Sequence, residues 1–359
     1  MITVRPLPVP EGPRPRVSVV VPCYNYGRYL PACLDSVLSQ EGVDVDVTVV
    51  DDASTDDSVE VARRRAATDP RVRVVLHAGN QGHIATFNEA LAAASAPYVV
   101  KMDADDLLVP GALARATALL ESFPQTSFVF GYVRTFTDEV PRDLPTDVRS
   151  WSVWSGQEWI DRLAHRGHNV IMQPEIVLRR SALDQVGGHR AELPETSDLN
   201  LWLRLASVGS VGRVNGPVQG LYRVHDQSMQ RTVHAGFLSD LRGRARAFDG
   251  FLAESADRVE RPEQVARTVH RTLARDAVRL AHRAYDTGAQ ATEPVAAYLD
   301  LAAGLDPSVA RTPAWAGLRV RSAWSGAPVL GTLVRHSPGA LAREVQDRVR
   351  WRRWRRYGT

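Results

Sequence analysis

The chain has 359 residues, 44% of them hydrophobic and 24% charged, with a formal net charge of +3. This length exceeds one ordinary core and predicts a large domain with an extension, or two domains, while the composition excludes a disordered or fibrous chain. Two cysteines, Cys23 and Cys33, are too few for a disulfide framework. No run of about 18 apolar residues is present to span a bilayer. The prolines of MITVRPLPVPEGPRPR stand where a signal peptide needs an apolar stretch, so a cytoplasmic protein is expected.

In chain order, residues 1–15 predict an irregular, proline-rich leader. VSVVVPCYN then opens with the fully apolar run of a strand buried on both faces. RYLPACLDSVLSQ places Leu30, Leu34, Val37 and Leu38 at helical spacing. VDVTVVDDAS returns to a strand, TDDSVEVARRRAA to a helix with acids in its first turns, and RVRVVLH, TFNEALAAAS and YVVKMDADD repeat strand, helix, strand. Such alternation predicts an α/β fold: a mostly parallel sheet, helices on both faces, right-handed crossovers, and ligands beyond the carboxyl ends of the strands. At those ends stand Pro22, Cys23, Tyr24 and Asn25; Asp51 and Asp52; Asn80; and Asp103, Asp105 and Asp106. From about residue 125 to 235 the pattern is mixed, and from about 236 helices dominate. The predicted organisation is an α/β domain over 16–235, a helical extension over 236–342, and a basic tail over 343–359.

An isolated pair such as DDAS is ordinarily a solvated turn. Three carboxylates within DADD repel one another and call for a compensating cation. Hard oxygen ligands on a short loop suit Mg²⁺ or Mn²⁺, which typically join protein carboxylates to substrate phosphates and stabilise charge on a departing diphosphate. Neither a GxxxxGK[ST] loop nor GxGxxG follows the first strand, which excludes the usual nucleotide cradles of P-loop proteins and dinucleotide dehydrogenases.

VSVVVPCYNYGRYLPACLDSVLSQ, VVDDASTDDS, NQGHIATFNEAL and KMDADD, in this order and spacing, resemble inverting family 2 glycosyltransferases with the GT-A type, Rossmann-like fold. The resemblance covers roughly residues 16–230. It implies that Pro22, Tyr24 and Asn25 line the nucleotide, that Asp52 accepts from a uracil-type ring nitrogen, and that Asn80, Gly82 and Asn88 line the nucleotide-sugar site. Asn88 has an equal claim to a local role, bonding the neighbouring loop. The resemblance further implies Asp105 as the metal ligand, Asp103 as a contact to ribose and the metal shell, and Asp106 as a support for the loop or the donor sugar.

An inverting transfer also needs one carboxylate to deprotonate the acceptor hydroxyl. The resemblance puts this base at Asp198 in PETSDLNLWLRL, where Ser197 replaces the family's preceding Glu and Glu195 is the fallback. A plain helix N-cap is the alternative for Asp198. Gly188, in the pair Gly187–Gly188, matches a close approach to the donor. His225 in LYRVHDQS matches a metal or diphosphate contact, with Arg223 as a phosphate partner. Trp151, Trp154, Trp159, His168 and Gln173 fall in the acceptor region, where they fit sugar contacts and a plain core equally.

The expected reaction is a metal-dependent transfer from a UDP-, dTDP- or GDP-sugar to a saccharide, glycolipid or other hydroxyl acceptor, in cell-envelope polysaccharide or glycoconjugate synthesis. A nucleotidyltransferase, or a non-catalytic carbohydrate- or membrane-binding protein on the same fold, is the alternative. The tail AREVQDRVRWRRWRRYGT alternates arginine with Val and Trp, the pattern of a helix lying on an anionic membrane. Peripheral attachment at the inner face of the membrane is therefore expected, and nucleic acid is not an expected partner.

Overall fold

The computed structural model describes residues 1–7, 12–225 and 236–324, with 345, 348 and 349 besides. Two compact units form. The first comprises Met1–Trp159 and Ile171–Ser228, and the second joins Ile160–Val170 to the helices from Phe237 onward.

The first unit is built on a ten-stranded sheet. Its strands are β1 (Ile2–Val4), β2 (Arg16–Cys23), β3 (Asp44–Asp51), β4 (Val72–Leu76), β5 (Tyr98–Lys101), β6 (Leu107–Leu108), β7 (Thr126–Phe136), β8 (Ser150–Trp154), β9 (Val177–Arg179) and β10 (Ser210–Arg223). The order is β1-β8-β10-β7-β9-β5-β2-β3-β4, with β6 paired to β10. β5, β2, β3 and β4 run parallel, as their valine-rich runs alternating with helices predict. β9 is inserted antiparallel between β5 and β7, and β7 pairs parallel with β10.

The helices of this region are α1 (Leu30–Leu38), α2 (Ser58–Thr68), α3 (His83–Ala93), α4 (Ala112–Ser122), α5 (Gly156–Arg166), α6 (Arg180–Val186) and α7 (Ser197–Ala206). Val17, Val19 and Val21 of β2 pack with Leu30, Leu34 and Val37 of α1 in one core cluster. Cys23 and Cys33 are buried free thiols. Burial pushes the Cys23 thiol up to about 12, so it is protonated and unreactive at neutral pH.

Two boundaries differ from the sequence expectation. Ile2–Val4 is a strand rather than irregular leader, because its β-branched residues pair antiparallel with Trp151–Val153. Ile160–Val170 groups with the helical unit. There, the buried Arg244 donates from Nη1 to the Gly167 carbonyl at 3.2 Å and from Nη2 to Asp240 Oδ2 at 2.6 Å.

The second unit contains α8 (Phe237–Ser255), α9 (Pro262–Thr287), α10 (Val295–Leu305) and α11 (Pro313–Trp324). The long α9 packs against the other three and buries Val265, Val269, Leu273 and Ala277 at helical spacing. It ends on Gly288, whose φ of 75° is the left-handed cap that glycine takes without steric cost. No helix among the described residues is long and apolar enough to cross a membrane. The arginine–tryptophan part of the expected membrane tail lies outside the described residues.

Candidate active site

β2, β3 and β5 deliver their last residues to one end of the sheet. Asn25 follows β2 with a φ of 59°, a left-handed conformation that Asn tolerates better than most residues. Its side-chain oxygen accepts from the Thr55 amide at 2.7 Å and the Asp56 amide at 3.3 Å. Asn25 therefore ties the loop after β2 to the loop after β3. Pro22 is buried within β2, whereas Tyr24 stands 46% exposed at the strand exit, a large ring open to a planar ligand.

Asp52 is buried and heavily bonded. Its Oδ1 accepts from the Gln81 amide at 2.7 Å and faces His77 Nδ1 at 2.7 Å, while Oδ2 accepts from the Gly82 amide at 2.9 Å. Asn80 Nδ2 donates to the Asp52 carbonyl at 3.2 Å. Burial alone would raise this carboxyl, but the donors from Gln81, His77 and Gly82 outweigh it and hold the pKa below the ordinary value. Asp52 and Asn80 thus shape the loop that Gly82 closes at a φ of 88°. Asp51 Oδ1 accepts from the Ser54 amide at 2.9 Å, which fastens the start of the loop after β3.

The DADD segment is a turn between β5 and β6. β6 pairs with β10, and Arg223 pins the turn from there. The Arg223 amide donates to Asp106 Oδ1 at 2.9 Å, its Nε to the Asp105 carbonyl at 3.0 Å, and its guanidinium lies 4.3 Å from the Phe136 ring centroid. Asp106 is fully buried, so it holds the loop, and Arg223 is committed to the same task.

All three acids are pushed up. Burial is the leading cause for each; Asp198 adds to it at Asp103, Asp103 at Asp105, and Asp105 and Asp103 at Asp106. Asp103 Oδ1 and Asp106 Oδ2 are buried without a hydrogen bond among the described residues. His225 Nε2 meets Asp105 Oδ2 at 2.9 Å, packed beside the Tyr29 ring at 5.2 Å between centroids.

This donor set fits a hard divalent ion held by Asp105 with His225 beside it. No three metal-ligating side chains among the described residues form a complete cage, so Asp103 is not brought into one ligand set with Asp105 and His225. One or two carboxylates suffice where substrate phosphates and water complete the shell.

Asp198 lies in the first turn of α7, where a carboxylate suits the helix dipole. The N-cap residue is Thr196, and Asp198 instead reaches across to β5, where Lys101 Nζ donates to its Oδ1 at 3.0 Å. Its side chain is 29% exposed. Gly188 and Asn88 meet directly. A Cβ at Gly188 would stand 2.2 Å from Asn88 Oδ1, which accepts from the His189 amide at 2.7 Å while Asn88 Nδ2 donates to the His189 carbonyl at 2.8 Å. Asn88 therefore clamps the Gly188–His189 loop, the local role that its place in a helix allowed.

Trp151, Trp154 and Trp159 are core residues, packed on Phe123, Phe130 and Phe128 respectively. His168 belongs to the second unit. Gln173 opens a short 3₁₀ turn beside β10 in the first unit. Lys101, His77 and His189 were not singled out from the sequence. A lysine inside the apolar run YVVKM was the available signal, since a buried ammonium needs a partner.

Residues 18–187 match the family described as Glycosyl transferase family 2. It is 30% identical over 211 residues to the uncharacterized protein MT1568 of Mycobacterium tuberculosis, covering 54% of this chain and 62% of that one. S. aureus TarS 1-349 in complex with UDP-GlcNAc superposes with a TM-score of 0.51 at 17% identity, over 82% of this chain and 92% of that one. The mannosyltransferase PcManGT from Pyrobaculum calidifontis, in complex with GDP-Man and Mn²⁺, gives 0.50 at 20% identity over 93% and 87%. These likenesses show the GT-A type fold. The chain spans 62%, 43% and 28% of the lengths of three curated relatives that it matches.

Proposed function

We propose that the chain transfers a sugar from a nucleotide-diphosphate sugar to an acceptor hydroxyl, with inversion at the anomeric carbon. The observation that carries this reading is the pairing of two unlike acid sites in a family 2 domain. One is a DADD loop whose acids are raised by burial and mutual repulsion; the other is Asp198, partly exposed and held separately by a lysine. The complexes of the two structural neighbours, with UDP-GlcNAc and with GDP-Man and Mn²⁺, support a nucleotide-sugar donor and a divalent cation.

Tyr24, at the exit of β2, offers its exposed ring to the base, and the loop shaped by Asp52, Asn80 and Gly82 forms the wall beside it. A divalent ion held by Asp105 and His225 would supply Lewis-acid stabilisation of the charge on the departing diphosphate. Asp198 takes the proton of the acceptor hydroxyl as its oxygen bonds to the anomeric carbon. The bond from that carbon to the diphosphate oxygen breaks, and the electron pair leaves with the nucleotide diphosphate.

The acceptor class we propose is a saccharide or glycolipid hydroxyl of the cell envelope, reached at the inner membrane face. The basic tail of the sequence is the support for that setting. Asp198→Asn tests the division of labour. Turnover should fall about 100- to 10,000-fold while donor binding in Mn²⁺ stays unchanged. Equal loss of turnover and donor binding would make Asp198 a structural residue.

A further inference from the structure

The buried lysine of β5 has no place in the reaction as described so far. Lys101 is 3% exposed and ends a strand of four buried residues. An ammonium in such a position is costly unless it is paired, and a methionine would fill the same space without that cost. Its two close contacts are specific. Nζ lies 3.0 Å from Asp198 Oδ1 and 3.8 Å from the centroid of the Phe87 ring, which presents its electron-rich face to the cation.

A second ring packs beside the same atom without a hydrogen bond to it. His189 Nδ1 stands 3.5 Å from Asp198 Oδ1, with its ring 5.8 Å from Phe87 between centroids. The imidazole is itself fixed, because Asn88 clamps the His189 backbone from both sides. Burial, with Lys101, His83 and Arg204 nearby, drives its pKa well below the ordinary value, so it meets the carboxylate as a neutral ring. Phe87 and Asn88 are neighbours on α3, so one turn of that helix supports both contacts.

Resting on the reading of Asp198 as the base, we propose that Lys101 is a positioning residue for that base. Its ammonium holds Oδ1 of Asp198, with the neutral His189 ring packed alongside, and leaves Oδ2 to receive the acceptor's proton. The lysine fixes the carboxylate about its own side-chain torsions, and Phe87 fixes the lysine. A proton transfer needs the accepting oxygen placed to a fraction of an ångström, and a displacement of about 1 Å costs on the order of 100-fold in rate.

The test is Lys101→Met, which keeps the stem and removes the cation. Nucleotide release is followed in Mn²⁺ from whichever UDP-, dTDP- or GDP-sugar the native chain turns over, with water or added saccharide as acceptor. Donor binding is titrated in parallel. The expected result is a fall in kcat of about 10- to 100-fold with donor affinity within about threefold of the native chain. Should K101M fail to fold, Phe87→Leu removes the ring face that fixes the ammonium and should lower kcat by about tenfold on the same terms. A kcat within twofold of native overturns the proposal, as does a loss of donor affinity in step with kcat, the mark of a merely structural lysine. If the native chain turns over no nucleotide-sugar at all, the glycosyltransferase reading falls and this one with it. Native turnover that K101M retains overturns the positioning role alone.

Discussion

Asp52 at the exit of β3 and Asp105 in the turn after β5 are both acids delivered by buried parallel strands, and their surroundings drive them in opposite directions. Asp52 meets two backbone amides and an imidazole, which hold its pKa down despite burial. Asp105 meets burial and a second carboxylate, and the single imidazole of His225 does not offset them. The difference separates an acid that has its donors within the fold from one whose charge the fold leaves largely uncompensated. Charge content marks DADD, with three carboxylates, as the more strained segment than DDAS, with two, but the donors that settle Asp52 come from residues remote from it in the chain.

The sharpest way to break this comparison is to remove one charge from the second site. Asp105→Asn should lower Mn²⁺-dependent donor affinity by at least about 100-fold, because it removes the principal ligand rather than an outer-shell partner. The same change should raise the melting temperature of the metal-free protein at pH 7, since it relieves repulsion with Asp103; about 1 kcal/mol corresponds to roughly 2–4 °C in a domain of this size. A mutant that loses stability while keeping metal-dependent donor binding would make Asp105 a structural acid like Asp52.

Asp52→Asn sharpens the comparison from the other side. An amide nitrogen would have to face an N–H donor or His77, leaving at least one buried donor unmet, at a cost of about 1–3 kcal/mol in thermal or urea unfolding. Donor affinity should fall through the disordered Gln81–Gly82 wall, without any change in its dependence on Mn²⁺.

The smallest effect concerns pH. His77 contacts Asp52 through Nδ1 at 2.7 Å and Glu89 through Nε2 at 2.9 Å. Burial lowers its pKa, but the two carboxylates outweigh that and leave it raised. A histidine raised in the folded state contributes stability fully below its unfolded value of about 6.5 and loses it as pH climbs through the folded value. His77→Gln should therefore cost more stability at pH 6 than at pH 9, measured as the difference in unfolding free energy from the native chain. A pH-independent difference would mean that His77 is held as a neutral ring.

How far the sequence reached follows from the kind of contact each residue makes. The parallel half of the sheet was legible because β2, β3 and β5 are valine-rich runs ending in polar residues, a pattern local to each strand. The partnerships between those ends were not. Lys101 and Asp198 lie 97 positions apart, and so the ion pair exists only once β9 and α6 bring α7 back to the sheet. Asn88 could be placed on a helix but not assigned to the Gly188 loop, which is 101 positions away at His189. The tryptophans looked like sugar platforms because aromatic residues serve cores and ligands equally well. Burial decided for the core at Trp151, Trp154 and Trp159. Ile2–Val4 escaped notice among prolines because an edge strand needs only a partner, and β8 is remote in sequence.

The proposed function has the acids after β5 hold a cation against a nucleotide diphosphate. Its most direct test is to incubate the native chain with a panel of UDP-, dTDP- and GDP-sugars, in Mn²⁺ or in EDTA, and to measure nucleotide release and donor binding. The account predicts that at least one donor binds and releases its nucleotide in Mn²⁺ and that EDTA abolishes both. Absence of metal-dependent binding and release with every donor would contradict it.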